Sequence, residues 1–404
     1  MRVIQNGYIT AAVIGWFWAY TIAIVVAVLM SFSTGDPFKP SFMFSLLLGA
    51  GTGLGTLFYR HKLTMAAGLM LLSILLGMIG FGPIIVGEEA GTFGIVVSAA
   101  LFGLFTAWPL LTMLESLVPG QLDKHEFEEA VIHFLTGFGY IFFTTAVLVP
   151  FYVMVMTSLK NQQELLQNPL DFTIDFSKGT DLFRSYVELF ADFNFGSYLW
   201  TSFYVSVLTV FITLAFSIPG AYAVARLRFK GRAAFGRSIL LIYMVPMIVL
   251  ALPIYIVFSM TGLRNTIVGI VMIYPVTTIP VALYMLQGYF RGLPSEVEEA
   301  GLMDGLSRIA VIWKITLPLA LPALASVSLY VFMIAWNEFL LAFMLLDDPA
   351  KFTLTRGVAS LNSSEVPRQH LMAGAVIATL PIMAIFLGLE RFMTKGLTAG
   401  SVKG

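Results

Sequence analysis

The chain has no cysteine among its 404 residues and only four histidines. Disulfides, thiolate metal sites and thiol chemistry are therefore excluded. Charge is scarce as well. Only 11% of residues are charged, against roughly 25% in ordinary soluble domains. The formal net charge is zero and no large basic domain is present, which argues against a nucleic-acid partner. There is no G-x-x-x-x-G-K-S/T phosphate loop, so the chain is not expected to bind ATP itself. There is also no H-E-x-x-H, no clustered metal-ligand set and no nucleophile–base pair. Catalytic, cofactor-binding and metal-binding residues are accordingly expected to be none. His125 and His133 flank an amphipathic linker and read as solvated.

What fills the chain is apolar, at 58% of residues. The apolar runs are unbroken over about twenty residues, long enough for membrane helices. A barrel would show alternating ten-residue segments instead. The expected fold is an all-α polytopic membrane protein of about ten transmembrane helices. Spans are expected near 8–31, 41–58, 64–86, 92–117, 134–157, 198–225, 238–260, 266–289, 320–346 and 371–390. The first run lacks a small-residue cleavage site before Asp36-Pro37, so it reads as a retained anchor rather than a signal peptide.

Lys and Arg set the orientation. The densest basic cluster, Arg226-Leu227-Arg228-Phe229-Lys230-Gly231-Arg232 with Arg237 beyond it, is expected in the cytoplasm. Arg60-His61-Lys62 and the tail from Lys395 to Lys403 fall on the same side by counting crossings. Gly87-Glu88-Glu89, 159–197 and 347–370 fall outside, and both termini are expected to be cytoplasmic. Residues 1–117 form a four-helix membrane extension. Residues 118–133 form a polar cytoplasmic linker ending in a short interfacial helix. Residues 134–395 form a six-helix core, and 396–404 a cytoplasmic tail.

Proline distinguishes the core. Pro150, Pro219, Pro246, Pro253, Pro275, Pro280, Pro322 and Pro381 fall in or near its spans. Each removes a backbone donor and is expected to kink its helix. Hinged helices suit a path that opens alternately, while membrane helices in general also carry more proline. Pro246 and Pro253, two turns apart, are the candidate gate hinge. Trp336, Asn337 and Glu338 are candidates for a translocation path or a subunit contact, because a charge within a span costs roughly 2.5–3.5 kcal/mol. The alternative for Glu338 is a carboxylate satisfied by water or a neighbouring helix. Trp336 suits either a sugar ring or the membrane interface. In the first block, Gly49, Gly51, Gly53 and Gly55 have the spacing of a close helix contact.

A charged, glycine-punctuated island lies between apolar runs, at about 290–318. Pro294-Ser295-Glu296-Val297-Glu298-Glu299 reads as a helix start, with Ser295 as cap and Glu298 completing a capping box. Asp304-Gly305 reads as a helix stop, where a positive φ is cheap. A second amphipathic stretch runs from Ile309 to Ile315 and on to Leu317-Pro318. The product is either a knob of two angled helices or an ordinary solvated loop.

Glu299-Ala300-Gly301, three spacers, Gly305, nine spacers, then Ile315-x-Leu317-Pro318 resembles the coupling-loop signature of ATP-binding-cassette importer permeases. Gly301 stands where that signature has Ala. Ala221 to Gly231, Gly288 to Pro294, Trp336-Asn337-Glu338 and the tail Gly396 to Gly404 are similar to the carbohydrate, MalG-like branch of that family. The resemblance covers about 134–404.

It implies a permease subunit of an importer for maltose or maltodextrin, trehalose or another α-glucoside, in the bacterial inner membrane. It also implies a second, MalF-like permease, two cytoplasmic MalK-like ATPases that hold ATP and Mg, and an extracytoplasmic sugar-binding protein. Glu298, Glu299, Ala300, Gly301, Asp304, Gly305, Ile315, Leu317 and Pro318 map onto the ATPase-coupling loop. Gly396, Leu397, Thr398, Ala399, Gly400, Lys403 and Gly404 map onto a tail that contacts the ATPases. The competing expectation is an ion-gradient-driven secondary transporter of small polar solutes. That would call for charged machinery inside the membrane, and the sequence offers little beyond Glu338.

Overall fold

Helix α1 (Gly7–Thr34) begins where the Asn6 side chain accepts from Tyr8 N at 3.0 Å and ends at Gly35, whose φ of 82° only glycine adopts freely. It opens a chain known here from a computed structural model that describes residues 6–87, 90–168, 171–362 and 366–398. The chain forms two compact units, Met1–Leu182 and Phe183–Gly404.

In the first unit, α1 is followed by strand β1 (Phe38–Pro40) and helices α2 (Phe42–Thr56) and α3 (Lys62–Met78). Strand β2 (Ile84–Val86), α4 (Gly91–Met113), α5 (Lys124–Ser158) and the short α6 (Gln162–Gln167) complete it. The expected span 64–86 is therefore shorter than its apolar run. Gly80, at φ 84°, stops α3, and the β-branched Ile84-Ile85-Val86 pairs antiparallel with Phe38–Pro40. Of the acidic loop expected on the outer side, Glu88 and Glu89 lie outside the described residues.

The glycine stripe of α2 is a packing device on one face only. A Cβ on Gly49 would overlap the Gly15 carbonyl, and one on Gly53 the Ala11 carbonyl, whereas one on Gly51 would meet nothing. Gly53→Val should therefore cost at least about 1–3 kcal/mol of packing, lowering the melting temperature of the solubilised protein, while Gly51→Val leaves it unchanged. Equal melting of the two variants would contradict this packing.

The linker 118–133 does not end in a separate interfacial helix. Asp123 and Glu126 form a capping box, and α5 runs unbroken for 35 residues from Lys124 through the expected span 134–157. At 1.5 Å per residue it is about 52 Å long, well beyond a hydrocarbon core of about 30 Å. Its charged first turns are thus carried clear of the apolar stretch.

The second unit begins with α7 (Arg184–Asp192) and the long α8 (Phe195–Arg226), then α9 (Arg232–Tyr243), α10 (Met247–Met260) and α11 (Ile267–Gly292). Next come α12 (Ser295–Met303), α13 (Arg308–Val311), a π-helical turn (Ile312–Thr316), α14 (Leu317–Leu319) and α15 (Leu321–Asn337). Helices α16 (Leu340–Leu345), α17 (Leu354–Ser360) and α18 (Arg368–Thr398) close the unit. Helices α8 and α11 pack through small polar residues, with the buried Thr213 and Thr278 hydroxyls 2.6 Å apart. One core of the unit gathers α8, α11, α15, α16 and α18 around Tyr274, Trp336 and Leu341.

Among the described residues, six helices are long and apolar enough to cross a membrane: α1, α4, α5, α8, α11 and α18. The pair Arg308–Leu319 and Leu321–Asn337, bent by 78°, counts as a seventh only when taken as one span, and α2, α3 and α10 are shorter apolar helices. These correspond to the ten expected spans, with two corrections besides the shortened 64–86. Span 238–260 is broken at Met244–Pro246, between α9 and α10, and span 320–346 at Glu338-Phe339, between α15 and α16. Most of the prolines do not interrupt their helices. Pro150, Pro219, Pro253, Pro275, Pro280 and Pro381 lie within continuous helices, and Pro322 sits in a first turn where its missing N–H costs nothing.

Candidate functional site

The island is two short helices set at an angle. Helix α11 ends at Gly292, Leu293 and Pro294 are extended, and α12 starts at Ser295. Its end is closed twice: Gly305 N donates to Leu302 O and Leu306 N to Gly301 O, each at 3.1 Å. Gly305 has φ 84°. This is the Schellman arrangement, which satisfies the last carbonyls and turns the chain. Ser307 then caps α13, its hydroxyl accepting from Ala310 N at 3.2 Å. The run Arg308–Leu319 meets α15 at 78°.

One expectation fails at the start of α12. Ser295 does not cap it, since the boundary residue is Pro294 and no side chain bonds the first amides. Glu298 turns inward instead and is only 8% exposed. Its carboxylate accepts from Thr316 Oγ1 at 2.9 Å and from the Tyr222 hydroxyl at 3.3 Å, and lies 3.5 Å from Arg226 Nε. Arg226 Nη2 also donates to Leu293 O at 2.6 Å. A buried carboxylate is tolerable because a cation and two hydroxyls surround it. Four side chains from α8, α12 and the π-helical turn thus pin the island to the end of a membrane span.

The basic cluster after α8 is also partly internal. Arg232 donates to Val224 O at 2.6 Å and Ala225 O at 2.9 Å, closing the helix C-terminus with a cation where the helix dipole favours one. Tyr222, Arg226 and Thr316 were not read from the sequence as partners of Glu298. The available signal was that Tyr222 and Arg226 share one face of α8 at i, i+4 spacing.

The residues of the signature separate by exposure. Glu299, Ala300, Asp304, Gly305 and Pro318 face outward, Glu298 and Gly301 face inward, and Ile315 and Leu317 are half-buried. The outward surface also carries Met303, Ile309 and Trp313, respectively 88%, 70% and 69% exposed. Carboxylates on one edge beside three large apolar side chains suit a protein groove better than water.

Gly301 is a contact point. A Cβ there would stand 2.5 Å from the Ile315 δ-methyl and 3.5 Å from Leu306 and Val311 methyls. Because the obstacle is the free end of a flexible side chain, Gly301→Ala should shift Ile315 at a cost of about 0.5–1.5 kcal/mol or less, and the solubilised protein should melt within a few degrees of wild type. A fall of about 10 °C or more would contradict this geometry.

The other candidates are placed as follows. Trp336 is buried, stacks on Phe332 at 5.5 Å and donates to Ala378 O at 3.0 Å. It is neither an interfacial anchor nor free to stack on a sugar. Asn337 is exposed, its side chain donating to Met333 O at 2.9 Å. The Glu338 carboxylate accepts from Leu341 N at 2.8 Å and Ala342 N at 3.1 Å, so it restarts the chain as α16. Pro246 stands at the break before α10 and Pro253 inside α10. Gly396, Leu397 and Thr398 belong to the backbone of α18, while Ala399, Gly400, Lys403 and Gly404 lie outside the described residues. Among the described residues no group of three or more His, Asp or Glu could hold a metal ion.

A family model described as binding-protein-dependent transport system inner membrane component matches residues 217–398, which include the whole island at 290–318, an elbow of two short helices. The inner membrane ABC transporter permease protein YcjP of Escherichia coli is 36% identical over 274 residues, covering 66% of this chain and 95% of that protein. The trehalose/maltose transport system permease protein MalG of Thermococcus litoralis is 33% identical over 281 residues, covering 69% and 99%. The trehalose transport system permease protein SugB of Mycobacterium tuberculosis is 35% identical over 228 residues, covering 56% and 83%. A crystal structure of a bacterial ABC transporter involved in the import of alginate contains a chain of the same fold. It matches with a TM-score of 0.57 at 22% identity, covering 65% of this chain and 97% of that one.

Proposed function

This chain belongs to the family of binding-protein-dependent transport system inner membrane components, and from that premise we propose that it conducts an α-glucoside-class carbohydrate and takes its drive through the 290–318 elbow. As a member of the family it is a multi-pass inner-membrane permease of an ATP-binding-cassette importer, not an enzyme. Such a permease works with a second permease, with ATPases and with a binding protein. The finer partners are a MalF-like permease, two MalK-like ATPases holding ATP and Mg, and an extracytoplasmic sugar-binding protein. The sugar class rests on the names of relatives that carry trehalose or maltose. Both termini are cytoplasmic in this reading.

The observation that carries the coupling role is the division of the elbow into two faces. Glu299, Ala300, Asp304 and Gly305 stand in water, while Glu298 ties the same helix to Tyr222 and Arg226 of α8. Force applied to the outer face reaches a membrane span through one buried cluster. Residues 134–395 form the conducting core in this account, 1–117 an added module and 118–133 their linker. Pro246 lies where a span is already broken and is the better of the two hinge candidates, Pro253 being inside a continuous turn of helix.

Uptake into vesicles with ion gradients collapsed by ionophores and ATP inside decides the energy source. Continued uptake of trehalose or maltose is expected, and dependence on the gradient would overturn the reading. The tail from Gly396 to Gly404 is proposed to touch the ATPases. Deleting it should change ATP hydrolysed per sugar imported severalfold with insertion intact, and loss of insertion would contradict that role.

A further inference from the structure

Helix α7 has a second apolar face that the protein itself leaves uncovered. Ser185 and Leu189 are buried against the unit. Phe183, Val187 and Phe190, at i, i+4 and i+7, lie on the other side and are 57%, 66% and 48% exposed. With Tyr186 and Ala191 they line a shallow open concavity. Three large side chains at helical spacing form a continuous stripe rather than scattered exposure.

Its height in the molecule says what covers that stripe. Helix α7 is fastened to the first turns of two membrane spans. His370 Nε2, in the first turn of α18, is 2.9 Å from Glu188 Oε2. Phe193 lies 5.2 Å from the same imidazole, and Phe190 meets Phe195, the first residue of α8, edge to face at 5.8 Å. Hydrogen bonds from Arg184 first and His370 second hold the Glu188 carboxyl below the ordinary carboxylate range, so Glu188 is a carboxylate at neutral pH. Five residues further along α8, about 7 Å at 1.5 Å per residue, Trp200 stacks on Phe203 at 5.9 Å. Both rings are exposed on the span's outer surface. Aromatic rings so placed mark the membrane–water boundary. A helix one turn above them, lying against two span ends, has its free face at the level of lipid headgroups.

We propose that α7 is an interfacial helix whose Phe183, Val187 and Phe190 face is buried in the lipid surface beside α8, anchoring that end of α8 and α18 at a fixed depth. Amphipathic helices of this kind sink about 5–10 Å into the headgroup–acyl boundary. The stripe carries no charge, and the ionic residues Arg184, Glu188 and Asp192 stand off its axis.

The cysteine-free chain gives a direct test. A nitroxide is attached to Val187→Cys, and separately to Asp192→Cys, in the assembled transporter in phosphatidylethanolamine–phosphatidylglycerol vesicles, with the cysteine-free chain as blank. Collisions with oxygen and with a water-soluble nickel chelate are compared by electron paramagnetic resonance. The oxygen-to-nickel ratio should be severalfold higher at Val187 than at Asp192. Equal ratios would place the stripe in water and overturn the proposal. Shielding of Val187 from both reagents would also overturn it, because the cover would then be protein.

Discussion

Glu298→Leu is expected to lower ATP-driven uptake at least tenfold while the chain still inserts. The substitution removes at once the acceptor for Thr316 and Tyr222 and the countercharge of Arg226. Deleting one member of a buried ion pair costs about 3–5 kcal/mol when the other is left unpaired. Arg226 keeps its bond to Leu293 O, so the lower end of that range applies. The cost falls on the joint between α12 and α8 rather than on the spans. The elbow should still bind its ATPase but move without moving α8, so ATP hydrolysis continues as uptake is lost. Glu298→Gln keeps one carbonyl oxygen to accept from one hydroxyl and turns an amide N–H toward the other, which can accept it, so it should recover a large part of transport. Full uptake by Glu298→Leu in proteoliposomes would show that the buried cluster transmits nothing.

Gly305→Val is expected to lose most of its ATPase on co-purification, again without loss of insertion. A Cβ at this position would meet nothing within 4 Å, so crowding is not the mechanism. The backbone is. A φ of 84° costs a residue other than glycine roughly 1–2 kcal/mol, and a β-branched one is the least suited to it. Relaxing that angle breaks the bond from Leu306 N to Gly301 O and swings the chain from Leu306 onward, with Ile309 and Trp313, away from α12. Gly305→Asn, which tolerates a positive φ, should retain more of the ATPase than Gly305→Val. Equal ATPase recovery for wild type and Gly305→Val would remove the docking role from this turn.

Much of this was legible in the sequence because it is local. Apolar run length marked the spans, and Asp304-Gly305 marked the turn through the one backbone conformation that glycine makes cheap. Where the structure departs, the deciding partner is distant or the run is ambiguous. Glu298 three residues after Ser295 looks like half of a capping box. Its true partner Tyr222 is 76 residues away, and nothing in the intervening chain announces it. Ile84-Ile85-Val86 extends the apolar run of α3, and periodicity does not tell a short strand from a helix end. Glu338 is costly only within a continuous span. Once α15 stops at Asn337, the same carboxylate is a local cap for the amides of Leu341 and Ala342.

The division of labour on the elbow is the point at which the account is most exposed. Single cysteines at Glu299, Ala300 and Asp304 would be introduced into this cysteine-free chain, loaded with a short photocrosslinker in the assembled complex, and the adducts identified by mass spectrometry. The account predicts adducts with an ATP-hydrolysing polypeptide at all three positions, with yields that change between nucleotide-free and ATP-trapped states. A complex that imports sugar normally yet gives no such adduct at any of the three would contradict it.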